Sequence, residues 1–137
     1  MNESLLTRIN WLYYSLKEQY KFINSLFNRL FQDPLIKELL SKEIYFYKTS
    51  LVLFKKSFSL YQEGYNKKII NDKLINDCKE MYLRRCLYNL NQSLVLFKRV
   101  NNSLLISSMV FHEIIAKIVV LIDSIKDLGR NLDKLLE

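Results

Sequence analysis

Apolar residues recur along this chain at intervals of three, four and seven, the period of one helix face. Ile9, Leu12, Leu16, Ile23, Leu26 and Leu30 make the first such stripe, and Ile44, Tyr47, Leu51, Phe54, Phe58 and Tyr61 make the second. A third runs through Leu74, Cys78, Met81, Tyr82, Leu87, Leu90, Leu94 and Phe97. The fourth contains Phe111, Ile114, Ile118, Ile122, Ile125, Leu132 and Leu136. No stretch of useful length alternates with the period of two that a strand requires.

Three breaks separate the stripes. In "QDPL", Asp33 can cap a helix and Pro34 can occupy its first position. In "QEGYNKK", Gly64 can take the left-handed conformation that ends a helix. In "RVNNSLLISS", Asn101, Asn102 and Ser103 compete with helix and supply caps. The pattern predicts four helices near residues 4–31, 34–62, 67–100 and 104–136 in a single all-α domain spanning 1–137. Similar lengths and short turns point to an antiparallel up-down-up-down four-helix bundle. Gly129 falls in the fourth stripe, where glycine costs about 1 kcal/mol relative to alanine. The expectation is a helix-packing role, a tight crossing that needs the missing side chain; the alternative is a kink or fray near the helix end.

Composition sharpens this picture. The chain of 137 residues has two glycines and one proline, so long helices meet few breakers. Cys78 and Cys86 lie eight residues apart on one predicted helix, about 12 Å along its axis and too far to bridge. They read as buried free thiols of a reducing compartment. "MNESLLTRIN" lacks the basic-then-apolar order of a secretion signal, and "IIAKIVVLI" is too short to span a bilayer. The expectation is a soluble, cytoplasmic protein without membrane contact. Trp11, Tyr13, Tyr14, Tyr20, Tyr45, Phe46 and Tyr47 crowd the first two helices and cannot all point inward, which favours a homo-oligomer or a protein partner over scattered surface rings.

Charge is unevenly placed. The net charge is +7, and between Lys42 and Arg99 twelve basic residues face five acidic ones. The remainder carries nine of each, so the excess belongs to the second and third helices. Lys55–Lys56, Arg84–Arg85 and Lys98–Arg99 are the candidate nucleic-acid contacts. Arg84 and Lys98 are fourteen residues apart, as are Arg85 and Arg99, so each couple shares a helix face. Such residues neutralise phosphates and release counterions; a merely solvated face, or one that docks an acidic protein, has the same composition.

Catalytic patterns do not assemble. "HEIIA" places Ala116 where a zinc-protease helix has its second histidine, and His112 is the only histidine. Arg99 stands thirteen residues before His112, too far for an arginine–histidine ribonuclease pair. Glu38, Glu43, Asp77, Glu80, Glu113, Asp123 and Asp127 do not form the paired Glu-x-x-His sites of di-iron bundles. No glycine-rich phosphate loop is possible with Gly64 and Gly129 alone. The expectation is a protein that is not an enzyme and has no cofactor or metal.

The closing "VVLIDSIKDLGRNLDKLL" (119–136), with Leu128, Gly129, Arg130 and Leu132, resembles the last helix of a bacterial family of basic four-helix bundles. That family comprises the ribosomal-RNA intervening-sequence proteins and the accessory variability determinant (Avd) of diversity-generating retroelements. "CKEMYLRRCLYNLNQSLVLFKRV" (78–100) resembles its arginine-bearing third helix, and "INWLYYSLKEQY" (9–20) its aromatic opening helix. The resemblance implies a homo-oligomeric, typically pentameric, assembly that binds RNA or DNA and, in the Avd branch, a reverse transcriptase. A rival reading is a protein-interaction bundle, either of the microtubule-interacting-and-trafficking type, which "SLVLFKKSFSLYQEG" (50–64) loosely resembles, or a small immunity protein or antitoxin.

Overall fold

The computed structural model describes residues 2–102 and 109–137, with the side chains of 101 and 102 left aside. Within them the chain is all-α, and no strand occurs. The helices are α1 (Glu3–Leu30), α2 (Pro34–Leu39), α3 (Ser41–Asn66), α4 (Asp72–Asn76), α5 (Arg84–Asn102) and α6 (Met109–Leu135). A π-helical turn, Asp77–Leu83, joins α4 to α5 without interruption, so four long rods build the core. The turn expected from Asn101, Asn102 and Ser103, and a fourth-helix start at 104, lie outside the residues whose structure and side chains are described.

Local chemistry sets the helix ends. The Asn2 side chain accepts from Leu5 N at 3.1 Å and opens α1. Asp33 caps α2 through Leu35 N at 3.0 Å, with Pro34 in the first turn, as "QDPL" leads one to expect. The single helix expected over 34–62 is instead two. Leu40 leaves helical geometry at ψ 21° and turns its fully buried side chain inward, while α2 buries none of its own. The end of α3 corrects a second expectation. No glycine has positive φ; Lys68 does, at 56°. Ile69 N bonds Gly64 O at 2.9 Å and Lys68 N bonds Tyr65 O at 3.2 Å, the paired bonds of a Schellman ending. Gly64 stays helical and buried, with Leu74 packed where a side chain would stand.

The α6 stripe is a heptad pattern: Phe111, Ile114, Ile118, Leu121, Ile125, Leu128, Leu132 and Leu135 are all buried. Leu128, not Gly129, therefore holds the core position. A Cβ built on Gly129 would meet nothing within 4 Å, which overturns the helix-packing role expected of it.

The π turn explains why Met81 is 51% exposed although the third stripe placed it inward. Two similar layers cross the core. Tyr13 and Ser57 share a hydrogen bond of 2.8 Å, and Ser57 Oγ donates to the Cys78 carbonyl at 3.1 Å. One heptad along, the Tyr20 hydroxyl lies 3.1 Å from Ser50 Oγ and 3.2 Å from Cys86 Sγ. The tyrosines are seven residues apart and the serines seven, but the cysteines are eight apart. The wider π turn absorbs the extra residue and returns Cys86 to the core face. Both cysteines are buried and unpaired.

Rings hold α1 and α3 apart. Tyr13 stacks on Tyr61 at 5.0 Å, Tyr20 lies 5.1 Å from Phe54, and Phe27 lies 4.8 Å from Tyr47. Residue numbers fall along α3 as they rise along α1 in these pairs. Ser93 bonding the Glu43 carbonyl, Phe97 beside Phe111 and Gln19 bonding Ser124 connect the remaining neighbours. Of the crowded aromatics, Tyr13, Tyr20 and Tyr47 fill this interior, whereas Trp11, Tyr14 and Tyr45 face solvent.

Candidate nucleic-acid interface

All six expected contacts, Lys55, Lys56, Arg84, Arg85, Lys98 and Arg99, are exposed. They do not form one surface. Four belong to α5, whose nineteen residues include no carboxylate. Fourteen residues separate Arg84 from Lys98 and Arg85 from Arg99, which sets the two basic ends of the helix about 21 Å apart. Between them the solvent side carries Tyr88, Asn91 and Val95, with Tyr88 62% exposed. Arg84 is the partial exception to the open charge, since Glu80 of the π turn approaches it at 3.1 Å. Among the described residues no carboxylate lies within ion-pair distance of Arg85, Lys98 or Arg99.

The α6 side of α5 is electrically mixed. Lys79 pairs with Asp133 and Glu80, and a cleft there of about 300 Å³ is walled by Arg84, Lys126, Gly129 and Arg130. The free cations therefore face outward from α5 rather than toward its neighbour.

Lys55 and Lys56 part company. Successive helical residues are about 100° apart, so Lys55 turns toward α1 while Lys56 does not line that side. Lys55 stands over a groove between α1 and α3, opposite Lys17 and Lys21. The groove comprises two cavities of about 440 and 690 Å³ that share Asn24, Leu51 and Lys55. Lys37 and Lys48 line the second, and neither cavity has a carboxylate in its lining. Lys17, Lys21, Lys37 and Lys48 were not among the residues expected from charge density along the chain. Spacing carried the signal: Lys17 and Lys21 are four apart and Lys48 and Lys55 seven apart, each pair on one helix face beside an aromatic stripe.

The two buried thiols line neither cavity. Burial pushes the Cys78 thiol up to about 11 and the Cys86 thiol up to about 12, which leaves neither ionised at neutral pH. Among the described residues, no three His, Cys, Asp or Glu side chains come together as a metal site. No helix described is long and apolar enough to cross a membrane. No family model, curated protein or solved structure matches this chain.

Proposed function

We propose that this chain is a non-enzymatic, cytoplasmic accessory protein that binds RNA or DNA through phosphates, and that its rods form an antiparallel up-down-up-down bundle. The observation that carries the reading is α5: four cations, no carboxylate, and three of the four unpaired on the solvent side. Arginines fork onto phosphate oxygens, and pairs about 21 Å apart span several phosphates of one strand. The alternating sense of neighbouring rods, with Tyr20 near Ser50 and Phe97 beside Phe111, supports the topology. The Leu128–Gly129–Arg130 stretch supports kinship with the intervening-sequence and Avd proteins. On that kinship the protein assembles as a homo-oligomer, a pentamer, and assists a reverse transcriptase or another RNA-associated partner.

Salt-titrated binding to a single-stranded RNA and to duplex DNA tests the reading. With about four phosphates neutralised, log affinity should fall against log salt with a slope of roughly −3 to −4 and depend little on sequence. Arg85→Ala/Arg99→Ala should make that slope shallower by about 1.5. The reading fails if neither polymer is retained at about 50 mM salt, or if the double substitution leaves the slope unchanged.

A further inference from the structure

The groove between α1 and α3 lies away from the outward cations of α5 and has a different chemistry. Its floor is mainly apolar, with Leu51 and Phe58 reaching the surface at one end and Phe31 and Val52 at the other, interrupted by Asn24, Asn28, Ser59 and Gln62. Its rims are cationic on both sides, with Lys17 and Lys21 from α1 and Lys48 and Lys55 from α3, and Lys37 closes one end. The aromatic pairs that separate α1 from α3 keep it open. On α3 the lining runs from Ile44 to Gln62, about 27 Å, or five helical turns.

We infer that this groove docks an acidic amphipathic helix of a partner protein, about eighteen residues long, leucine-type side chains on the floor and Asp or Glu against the lysines. Charge complementarity decides among occupants. A second copy of this chain is a poor fit, because it brings a net charge of +7 to a rim that is already positive. A nucleic-acid strand would match the lysines but not the floor. Single strands stack successive bases on a row of exposed ring faces; here Tyr20, Tyr47 and Phe54 are each 1% exposed, and the half-buried Phe58 and Phe31 line different cavities. An apolar helix without acids would leave five lysines crowded against it. An acidic amphipathic helix satisfies floor and rims together, and the rims then govern association rate and partner choice.

The test uses the full chain and a display library of random peptides, each about eighteen residues long to match the groove. A Lys17→Glu/Lys21→Glu/Lys55→Glu variant serves as the counter-target. Selected peptides should carry apolar residues at i, i+3 or i+4, and i+7, flanked by Asp and Glu. Synthetic copies should become helical on binding and lose at least about ten-fold in affinity on the variant, equivalent to about 1.4 kcal/mol. On the unaltered chain, amide shifts caused by the peptide should map to α1 and α3. No enrichment, peptides without that pattern, equal binding to the variant, or shifts confined to other helices each overturn the inference. Displacement of the peptide by a single-stranded oligonucleotide also overturns it, by assigning the groove to nucleic acid. Peptide binding should survive Arg85→Ala/Arg99→Ala, so failure of the α5 reading and failure of this one give different results.

Discussion

A methyl group added at Gly129 meets no atom within 4 Å, whereas one added at Gly64 meets Leu74 Cδ2 at 2.7 Å. Both glycines sit inside helices with ordinary helical φ, so each bears the propensity cost of about 1 kcal/mol relative to alanine. At Gly129 nothing offsets that cost in the isolated chain. Gly129→Ala should therefore stabilise the protein by about 1 kcal/mol, a rise in melting temperature of about 3 to 5 °C by circular dichroism. Gly64→Ala should gain less, because Leu74 must first swing away from the new methyl group. Equal shifts for the two substitutions would contradict this assignment. Sequence position alone could not separate them. Both interrupt apolar patterns, and the difference lies in what stands over each, namely the Ile70–Leu74 segment over Gly64 and an open cleft over Gly129.

At the scale of elements, the spacing of the layers across the core is what fixes the third rod. Tyr13 and Tyr20, and Ser50 and Ser57, repeat every seven residues, while Cys78 and Cys86 need eight because Asp77–Leu83 is π-helical. Met81 is the exposed member of that turn. Deleting Met81 should convert the turn to α-helix and leave both cysteines on the core face at the common spacing of seven. The variant should fold with a melting temperature no lower than that of the parent. Deleting Asn91, exposed in regular α5, should instead rotate everything beyond it by about 100° and abolish cooperative melting. If the two deletions behave alike, the π turn is not absorbing the extra residue. The α1, α3 and α6 stripes were legible from periodicity, since regular helices keep one face inward and Ile9, Tyr47 and Ile118 are buried where the pattern puts them. The third stripe was legible only up to Cys78 and again from Leu87, because a single inserted residue shifts the face and leaves no mark in composition. The basic residues of α5 were legible for the same reason as its neighbours' stripes, whereas the α1–α3 groove was not, because it exists only once aromatic rings hold two helices apart.

For the molecule as a whole, the interior is polar in an unusual way: four tyrosine hydroxyls and two thiols are tied into the contacts between rods. Burial raises the phenols of Tyr13, Tyr20, Tyr47 and Tyr61 above their ordinary value of 10.0, and raises Cys78 to about 11 and Cys86 to about 12 from an ordinary 9.0. These groups are neutral when protonated, and the folded state holds their protons more tightly than the unfolded chain does. Their contribution is thus fully present below about pH 9 and is lost as pH rises through 11 to 12. Within that window each such group removes stability at about 1.4 kcal/mol per pH unit. Thermal melts at increasing pH should show a flat stability up to about pH 9 followed by a steep fall. The phenolate absorbance of these four tyrosines should appear only together with loss of helical circular dichroism. Ionisation of these four tyrosines near pH 10 in a still-folded chain would show that the layers joining the four rods are open to water, and the packing that separates α1 from α3 would have to be abandoned.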